Sequence, residues 1–494
     1  MIEMVEVPTR PNLEDYGQLA FLSSAVQELR NEAKPLLRQL RGRKVWMINS
    51  SAQGGGVAEM LPKEVSLLRD LGVDTVWGVI KTDNADFFRF TKRLHNLIHG
   101  EGDPQITAEE RAIYDQISSQ LADELSSKVD PTDILVVHDP QPVGAGSLVK
   151  QRLNNPLIWR CHIGVDQDLD QTLSAWSFLR PYVTPCDQSI FSAHEYIPDY
   201  LTRRSSIIHP AIDPLSDKNR ELSLHRIVEV LCNASMAVPF QPVLEKNFAA
   251  PARRLLPDGT FGSPVEAGDF GLLHRPIITQ ISRWDRLKGF APLLQAFVHL
   301  KNRIREGVYD RDPVHRRRVA ITRLVLAGPD PETVQDDPEA LDVLQELCSQ
   351  YASFDKGMQK DVMLLTLPIN GLMVNALQRC STIVVQNSIQ EGFGLTVTEA
   401  MWKRISVLGS SACGIRQQIQ DGVDGRILAS HDPKELAKAL DEMLQDPATR
   451  HLWGRNAQRR VHESFLVFRQ VAAWLRVLAS VTQRQTARGV KKTG

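Results

Sequence analysis

Three short stretches of the chain bring together residues able to do chemistry. The first is Gly54-Gly55-Gly56, just after the run Lys44–Asn49 and just before Val57-Ala58-Glu59-Met60. A strand, a glycine turn and a helix start make an anion cradle, because glycines let backbone N–H groups approach a phosphate and the helix dipole favours negative charge. A plain tight turn uses the same residues. The spacing fits neither GxGxxG nor GxxxxGK[ST], so neither a dinucleotide nor a P-loop nucleotide is indicated. The second stretch is Ser282-Arg283-Trp284-Asp285-Arg286-Leu287-Lys288-Gly289, directly after the run Ile277–Ile281. Arg283 and Lys288 supply a guanidinium fork and a point charge that suit a diphosphate. A solvated loop with a salt bridge to Asp285 is the plainer alternative. The third is Gln390-Glu391-Gly392-Phe393-Gly394-Leu395-Thr396-Val397-Thr398-Glu399, after the run Thr382–Gln386. Glu391 falls in the loop and Glu399 about a turn into the following helix, so the two carboxylates can address opposite ends of one ligand. A carboxylate accepts from paired sugar hydroxyls, and the N–H groups near Gly394, Leu395 and Thr396 can hold phosphate oxygens.

The elements that must position these residues are legible from periodicity. Short β-branched runs at Val45–Ile48, Thr75–Val79, Ile134–Val137 and Leu157–Arg160 alternate with amphipathic stretches such as Ala108–Leu125. Strand, helix, strand implies a parallel sheet. The rhythm restarts at Ile277–Ile281, Leu324–Ala327, Val362–Leu367, Thr382–Gln386 and Ser406–Leu408. The expected fold class is therefore α/β, with two doubly wound, Rossmann-like domains. A ligand site is expected in the cleft between them, at the carboxyl ends of both sheets. The expected division is an N-terminal domain over 1–237, a Pro- and Gly-rich insert and linker over 238–274, a C-terminal domain over 275–455, closing helices over 456–482 that pack back on the N-terminal domain, and a frayed basic tail over 483–494.

Composition narrows the function classes. The 494 residues carry 58 Lys plus Arg against 59 Asp plus Glu, a net charge of -1, so no global field attracts nucleic acid or an anionic membrane. Hydrophobic residues at 42% are enough for each domain to bury a core. The six cysteines are dispersed without a CxxC pair, and the first residues mix acids and prolines. A cytoplasmic protein without a membrane span fits this pattern best.

Other features carry less. Asp166, Asp168 and Asp170 form a DxDxD that could bind Mg or Mn, but a solvated loop or helix start is the expectation. His315-Arg316-Arg317-Arg318 has no interleaved aromatic residue and reads as a solvated face rather than a nucleic-acid contact. His138-Asp139 ends a strand and either lines a cleft or is structural.

EGFGLTVTEAMWK resembles the E-x7-E signature of retaining glycosyltransferases of family 4, which have the GT-B fold. Further segments resemble the trehalose glycosyltransferring synthases: GGGVAEML at 54–61, FFRFTKRLHNLIHG at 87–100, VHDPQP at 137–142, WRCHI at 159–163, IDPLSDKN at 212–219, PIITQISRWD at 276–285, DDPE at 336–339 and VNALQR at 374–379. The resemblance implies that Arg283 and Lys288 grip a donor diphosphate, Glu391 holds the donor sugar and Glu399 binds the nucleotide ribose. It implies further that Gly55 and Gly56 belong to a loop over phosphates and acceptor, and that His162 stands against the reacting sugar. The chain departs from the family pattern at Gly164, where the synthases carry Asp, at Cys413-Gly414-Ile415-Arg416, where they carry Gly-Gly-Ile-Lys, and in an insert at about 239–270.

The implied function is a retaining transfer of glucose from a nucleoside diphosphate glucose, such as UDP-glucose or ADP-glucose, to free glucose, forming α,α-trehalose without a metal or other cofactor. The expected partners are small sugars and nucleotide sugars, with self-association as a homodimer left open. Two rivals are a trehalose phosphorylase or a transferase with another acceptor, and a non-catalytic nucleotide-sugar-binding protein.

Overall fold

The computed structural model describes residues 1–52, 55–238, 248–331 and 339–490; Gly54, residues 239–247 of the insert, most of the DDPE segment and the last four residues lie outside the described residues. The chain forms two compact units, Met1–Ala211 with Phe465–Gly494, and Ile212–Ser464.

The first unit is built on seven strands: β1 (Ile2–Met4), β2 (Lys44–Asn49), β3 (Asp74–Ile80), β4 (Ile134–His138), β5 (Leu157–Arg160), β6 (Gln188–Phe191) and β7 (Ser205–Ile207). Their order is β1-β3-β2-β4-β5-β6-β7, parallel except for β1, which runs antiparallel on β3. The chain winds outward from β2 to β3, then crosses back to β4 and proceeds the other way. The carboxyl ends of β2 and β4 therefore flank a topological switch point, where open α/β sheets bind ligands.

The second unit carries β8 (Arg253–Leu255), β9 (Phe261–Gly262), β10 (Ile277–Ile281), β11 (Arg323–Pro329), β12 (Val362–Leu367), β13 (Ile383–Gln386), β14 (Ser406–Ser410) and β15 (Arg426–Leu428), ordered β15-β14-β13-β10-β11-β12-β8-β9. Its switch point lies between β10 and β13. Successive strand residues point to opposite faces: Ile278, Leu324, Leu326, Leu364 and Ile383 enter one core, while Ile277, Val325, Ala327, Met363 and Leu365 enter the other. Both faces are thus buried under helices, which is why these strands read as continuous apolar runs.

Four expectations are corrected. The 238–274 stretch is not simply a linker: β8 pairs antiparallel with β12, β9 pairs with β8 across the turn at Asp258-Gly259, and Ala252 and Phe270 are fully buried in the second unit. That unit also begins earlier than 275, because the helix Leu224–Asn233 places Ile227, Val230 and Leu231 in its core. The closing helices do not all belong to the first unit: the chain there forms Pro433–Gln445, Pro447–Ser464 and Val467–Val490, and only the last lies in it. Pro447 starts a new helix because proline is tolerated at a first turn and not within one. The final helix also runs past residue 483: Arg484 donates to Gln188 Oε1 at 2.8 Å and Gln485 to Pro131 O at 3.4 Å.

Candidate functional site

At the switch point of the second unit, the loop after β10 and the loop after β13 bring Lys288 and Glu391 together across 103 residues of chain, Nζ to Oε2 at 3.0 Å, each side chain only 13% exposed. The same Oε2 accepts from Ser388 Oγ at 3.0 Å and from Gln386 Nε2 at 3.3 Å. Burial alone would raise the Glu391 carboxyl, but Lys288, the Ser388 hydroxyl and the charge of Arg283 outweigh it and hold the group below the usual carboxylate range. Glu391 is therefore an ionised acceptor. Arg283 lies half-exposed at the same strand end, 3.7 Å from Asp285, so the salt bridge expected for a solvated loop exists alongside its influence on Glu391. Arg286 is committed elsewhere, to both oxygens of Glu346.

The turn between Glu391 and the helix Leu395–Trp402 is held from behind. Gly394 caps that helix in the left-handed region, φ 83°, so Leu395 and Thr396 head it. The first N–H groups of a helix have no intrahelical partner and carry its positive dipole end. Gln418, completely buried, donates to the carbonyls of Phe393, Gly394 and Gly414 and accepts from Thr398 Oγ1. At Gly414, an added Cβ would stand 2.5 Å from Phe393 Cα, so the second residue of the Cys413-Gly414-Ile415-Arg416 departure must stay small. Glu399 is buried at 4% exposure one turn into the helix. Lys403, a turn further, is pushed down to about 7 by burial, against the opposing charge of Glu399.

The first unit carries its own polar cluster at the ends of β4 and β5. His162 Nε2 lies 3.0 Å from His138 Nδ1, and the backbone N–H of His162 donates to Asp139 Oδ1 at 2.8 Å. Asp139 has φ 64° and ψ -174°, a region nearly reserved for glycine. Strain of that kind persists only where the surroundings enforce it, and it concentrates at functional sites. Burial raises the Asp139 carboxyl to about 6 despite the His162 N–H and Arg160. It raises Glu64 on the helix Gly55–Asp70 to about 7, with Arg160 and Trp474 opposing. Both histidines are held neutral by burial and by the positive charge of Arg160, His138 at about 3 and His162 well below its usual range.

The predicted residues thus fall into two groups, Arg283, Lys288, Glu391, Gly394, Leu395, Thr396 and Glu399 in the second unit and Gly55, Gly56 and His162 in the first. Gly56 sits in open space, where an added Cβ meets nothing within 4 Å, so packing does not require a glycine there. Asp166, Asp168 and Asp170 are exposed, and among the described residues no three His, Cys, Asp or Glu side chains converge as metal ligands. The basic run is not a uniformly solvated face: His315 is buried, 2.7 Å from Asp441 Oδ1, and Arg318 caps the carbonyls of Leu444 and Gln445. Asp139, Glu64, Arg160 and Gln418 carried no clear sequence signal. Only the position of His138-Asp139 at a strand end hinted at one of them.

The family model for the trehalose synthase N-terminal domain matches residues 47–198, and that for glycosyl transferases group 1 matches residues 271–460. The trehalose synthase of Rubrobacter xylanophilus is 34% identical over 463 residues, covering 92% of this chain and 94% of that one. The trehalose synthase of Thermococcus litoralis is 31% identical over 479 residues, covering 95% and 97%. A trehalose phosphorylase of Pleurotus pulmonarius is more distant, 25% identical over 90% of this chain and 58% of that protein. Among solved structures, α,α-trehalose 6-phosphate synthase from Burkholderia multivorans has a TM-score of 0.64 at 15% identity, covering 91% of this chain and 98% of that one. Anabaena Alr3699/HepE in complex with UDP and glucose has a TM-score of 0.57 at 14% identity, covering 89% and 100%. At such identities the structural likeness speaks for the two-domain GT-B fold. The sequence relatives, matched over nearly the whole chain, go further: the chain belongs to the trehalose synthase family of GT-B glycosyltransferases, hexosyltransferases of trehalose-related glycosyl transfer.

Proposed function

We propose that the protein moves glucose from a nucleoside diphosphate glucose to free glucose, with retention, to give α,α-trehalose. The observation that carries this reading is the buried Lys288–Glu391 pair with Arg283 beside it at the switch point of β10 and β13. A nucleotide sugar needs cations where its diphosphate departs and an ionised acceptor where its sugar hydroxyls lie, and these residues supply both. As the glycosidic bond loosens toward an oxocarbenium-like state, negative charge grows on the leaving oxygen, and Arg283, Lys288 and the helix start at Leu395 and Thr396 stabilise it. Glu391 accepts from the donor sugar, Glu399 from the ribose, Gly55 and Gly56 lie over the phosphates and acceptor, and His162 stands against the reacting sugar. The leaving phosphate takes the acceptor's proton, so no metal or other cofactor enters the proposal.

The names of the relatives support trehalose as product, and the UDP and glucose complex of the Anabaena protein supports a nucleotide sugar as donor by analogy of fold. The test is nucleoside diphosphate release from a panel of nucleotide glucoses, with and without glucose. Glucose-dependent release supports the reading. Binding of a nucleotide glucose without turnover would instead mark a non-catalytic binder, and glucose 1-phosphate formed from trehalose and inorganic phosphate would mark a phosphorylase.

A further inference from the structure

We infer that His138 is a positioning residue for His162, donating from Nδ1 to His162 Nε2 so that His162 presents Nδ1–H as a hydrogen-bond donor to a sugar hydroxyl. This rests on the reading of His162 given above and adds to it which nitrogen acts and what sets it.

The argument begins with the geometry of the two rings. Their nitrogens are 3.0 Å apart, while the ring centroids are 5.3 Å apart and the planes within 13° of parallel. That combination describes two nearly coplanar rings meeting edge to edge through one N–H···N bond, not two overlapping faces. With both rings neutral, one nitrogen of the pair must carry hydrogen and the other a lone pair, so the tautomers are coupled.

Two nitrogens remain, His138 Nε2 and His162 Nδ1. Both are buried and neither has a hydrogen-bond partner in the structure. Whichever way the shared bond runs, one of them is an N–H and the other a bare lone pair. The choice is decided by what surrounds each. His138 is register-paired with Arg160 on the neighbouring strand, and the Arg160 guanidinium is itself buried, with Nη1 lacking a partner. The Arg160 charge reaches both rings, but His138 is its direct partner across the paired strands, so we assign the bare lone pair, which that charge stabilises, to His138 Nε2. The His138 ring also meets the Trp474 ring, centroids 6.1 Å apart and tilted by 47°, and its Nε2 has no hydrogen-bond partner. His138 therefore keeps its hydrogen on Nδ1, and the unpaired donor falls on His162 Nδ1. A buried N–H without a partner is costly, so this donor is poised for a ligand oxygen. The other groups around the pair agree: Asp139 fixes the His162 backbone by accepting from its N–H, and Glu64 and Arg160 oppose each other's charge.

The test combines a spectroscopic readout with kinetics. In the protein labelled with nitrogen-15 histidine, two-bond correlation spectra assigned with the His138→Ala and His162→Ala variants should show Nδ1 protonated and Nε2 bare in His162. Protonated Nε2 in His162 would overturn the proposal, whatever the activity. In steady-state assays, His138→Ala should lower kcat by roughly 10- to 100-fold with KM within a few-fold, the range expected for loss of a residue that orients a functional group. His138→Asn places an amide N–H where Nδ1–H stood and should recover most of the loss. The double variant His138→Ala with His162→Ala should be no slower than His162→Ala alone, because coupled residues do not add. Wild-type kcat in His138→Ala together with a slow His162→Ala enzyme would refute the positioning role alone. Full activity in His162→Ala would refute the role of His162 itself, and with it the catalytic part of this inference.

Discussion

At the scale of single residues, the most exposed claim concerns Glu391, whose Oε2 accepts from Lys288, Ser388 and Gln386 at once. Glu391→Gln retains an acceptor for Lys288 but removes the countercharge and the charge-assisted bonds to a donor sugar. Turnover should fall by ~10² or more while the unit still folds, since a few kcal/mol of lost transition-state stabilisation corresponds to that factor. Circular dichroism would verify the fold and kcat the loss; near-normal kcat would remove Glu391 from the site. Glu64 gives a pH prediction. Its folded-state carboxyl is raised to about 7 from 4.5, so it contributes relative stability below pH 4.5 that disappears as pH rises through about 7. Thermal unfolding of Glu64→Gln should therefore gain on the wild type as pH goes from 4.5 to 7; a constant difference over that window would contradict the assigned shift. Arg283, Lys288 and Glu391 stood out in the sequence as charges just past the ends of apolar strands, and Glu399 by its spacing from Glu391. Asp139 stood out only as part of the strand-end pair His138-Asp139, because its positive φ and its burial leave no trace in residue type. Gly164 stood out only as a departure, and the structure supplies a reason: an added Cβ would lie 2.3 Å from Tyr196 Cγ, so an aspartate cannot enter without displacing that ring.

At the scale of elements, the EGFG turn depends on a side chain that the sequence gives no reason to single out. Gln418 fastens three carbonyls of the turn and its neighbour Gly414. Gln418→Leu leaves those carbonyls without donors in a buried place, which should lower stability by about 1–3 kcal/mol and raise KM for the nucleotide sugar. Chemical denaturation and saturation kinetics on the same preparation separate the two effects, and unchanged values in both would show that the turn holds itself. The parallel strands of both sheets were legible because their apolar runs are buried on both faces. β6 and β7 escaped notice, since QSIF and SSI are short and polar-rich. The β8–β9 hairpin was mistaken for linker because Pro and Gly, which mark its turn, are also the signature of a flexible connection. Burial of Ala252 and Phe270 distinguishes the two, and burial is not written in composition.

At the scale of the whole molecule, the net charge is -1, and among the described residues no helix is long and apolar enough to cross a membrane. The cations are local, and the proposed chemistry uses them in place of a metal. Activity should therefore survive EDTA within about twofold; loss on chelation with recovery on adding Mg or Mn would bring the DxDxD at 166–170 back into consideration. The central claim is the identity of the bond made, and proton NMR of the product from a nucleoside diphosphate glucose and free glucose tests it most directly. Front-face transfer preserves the donor's α configuration, and the acceptor must offer its own anomeric hydroxyl. The account predicts a single non-reducing disaccharide with one α anomeric signal and no reducing-end resonance, formed only when the nucleotide sugar and glucose are both present. A reducing-end signal, or glucose 1-phosphate appearing when trehalose and inorganic phosphate are supplied, would contradict it.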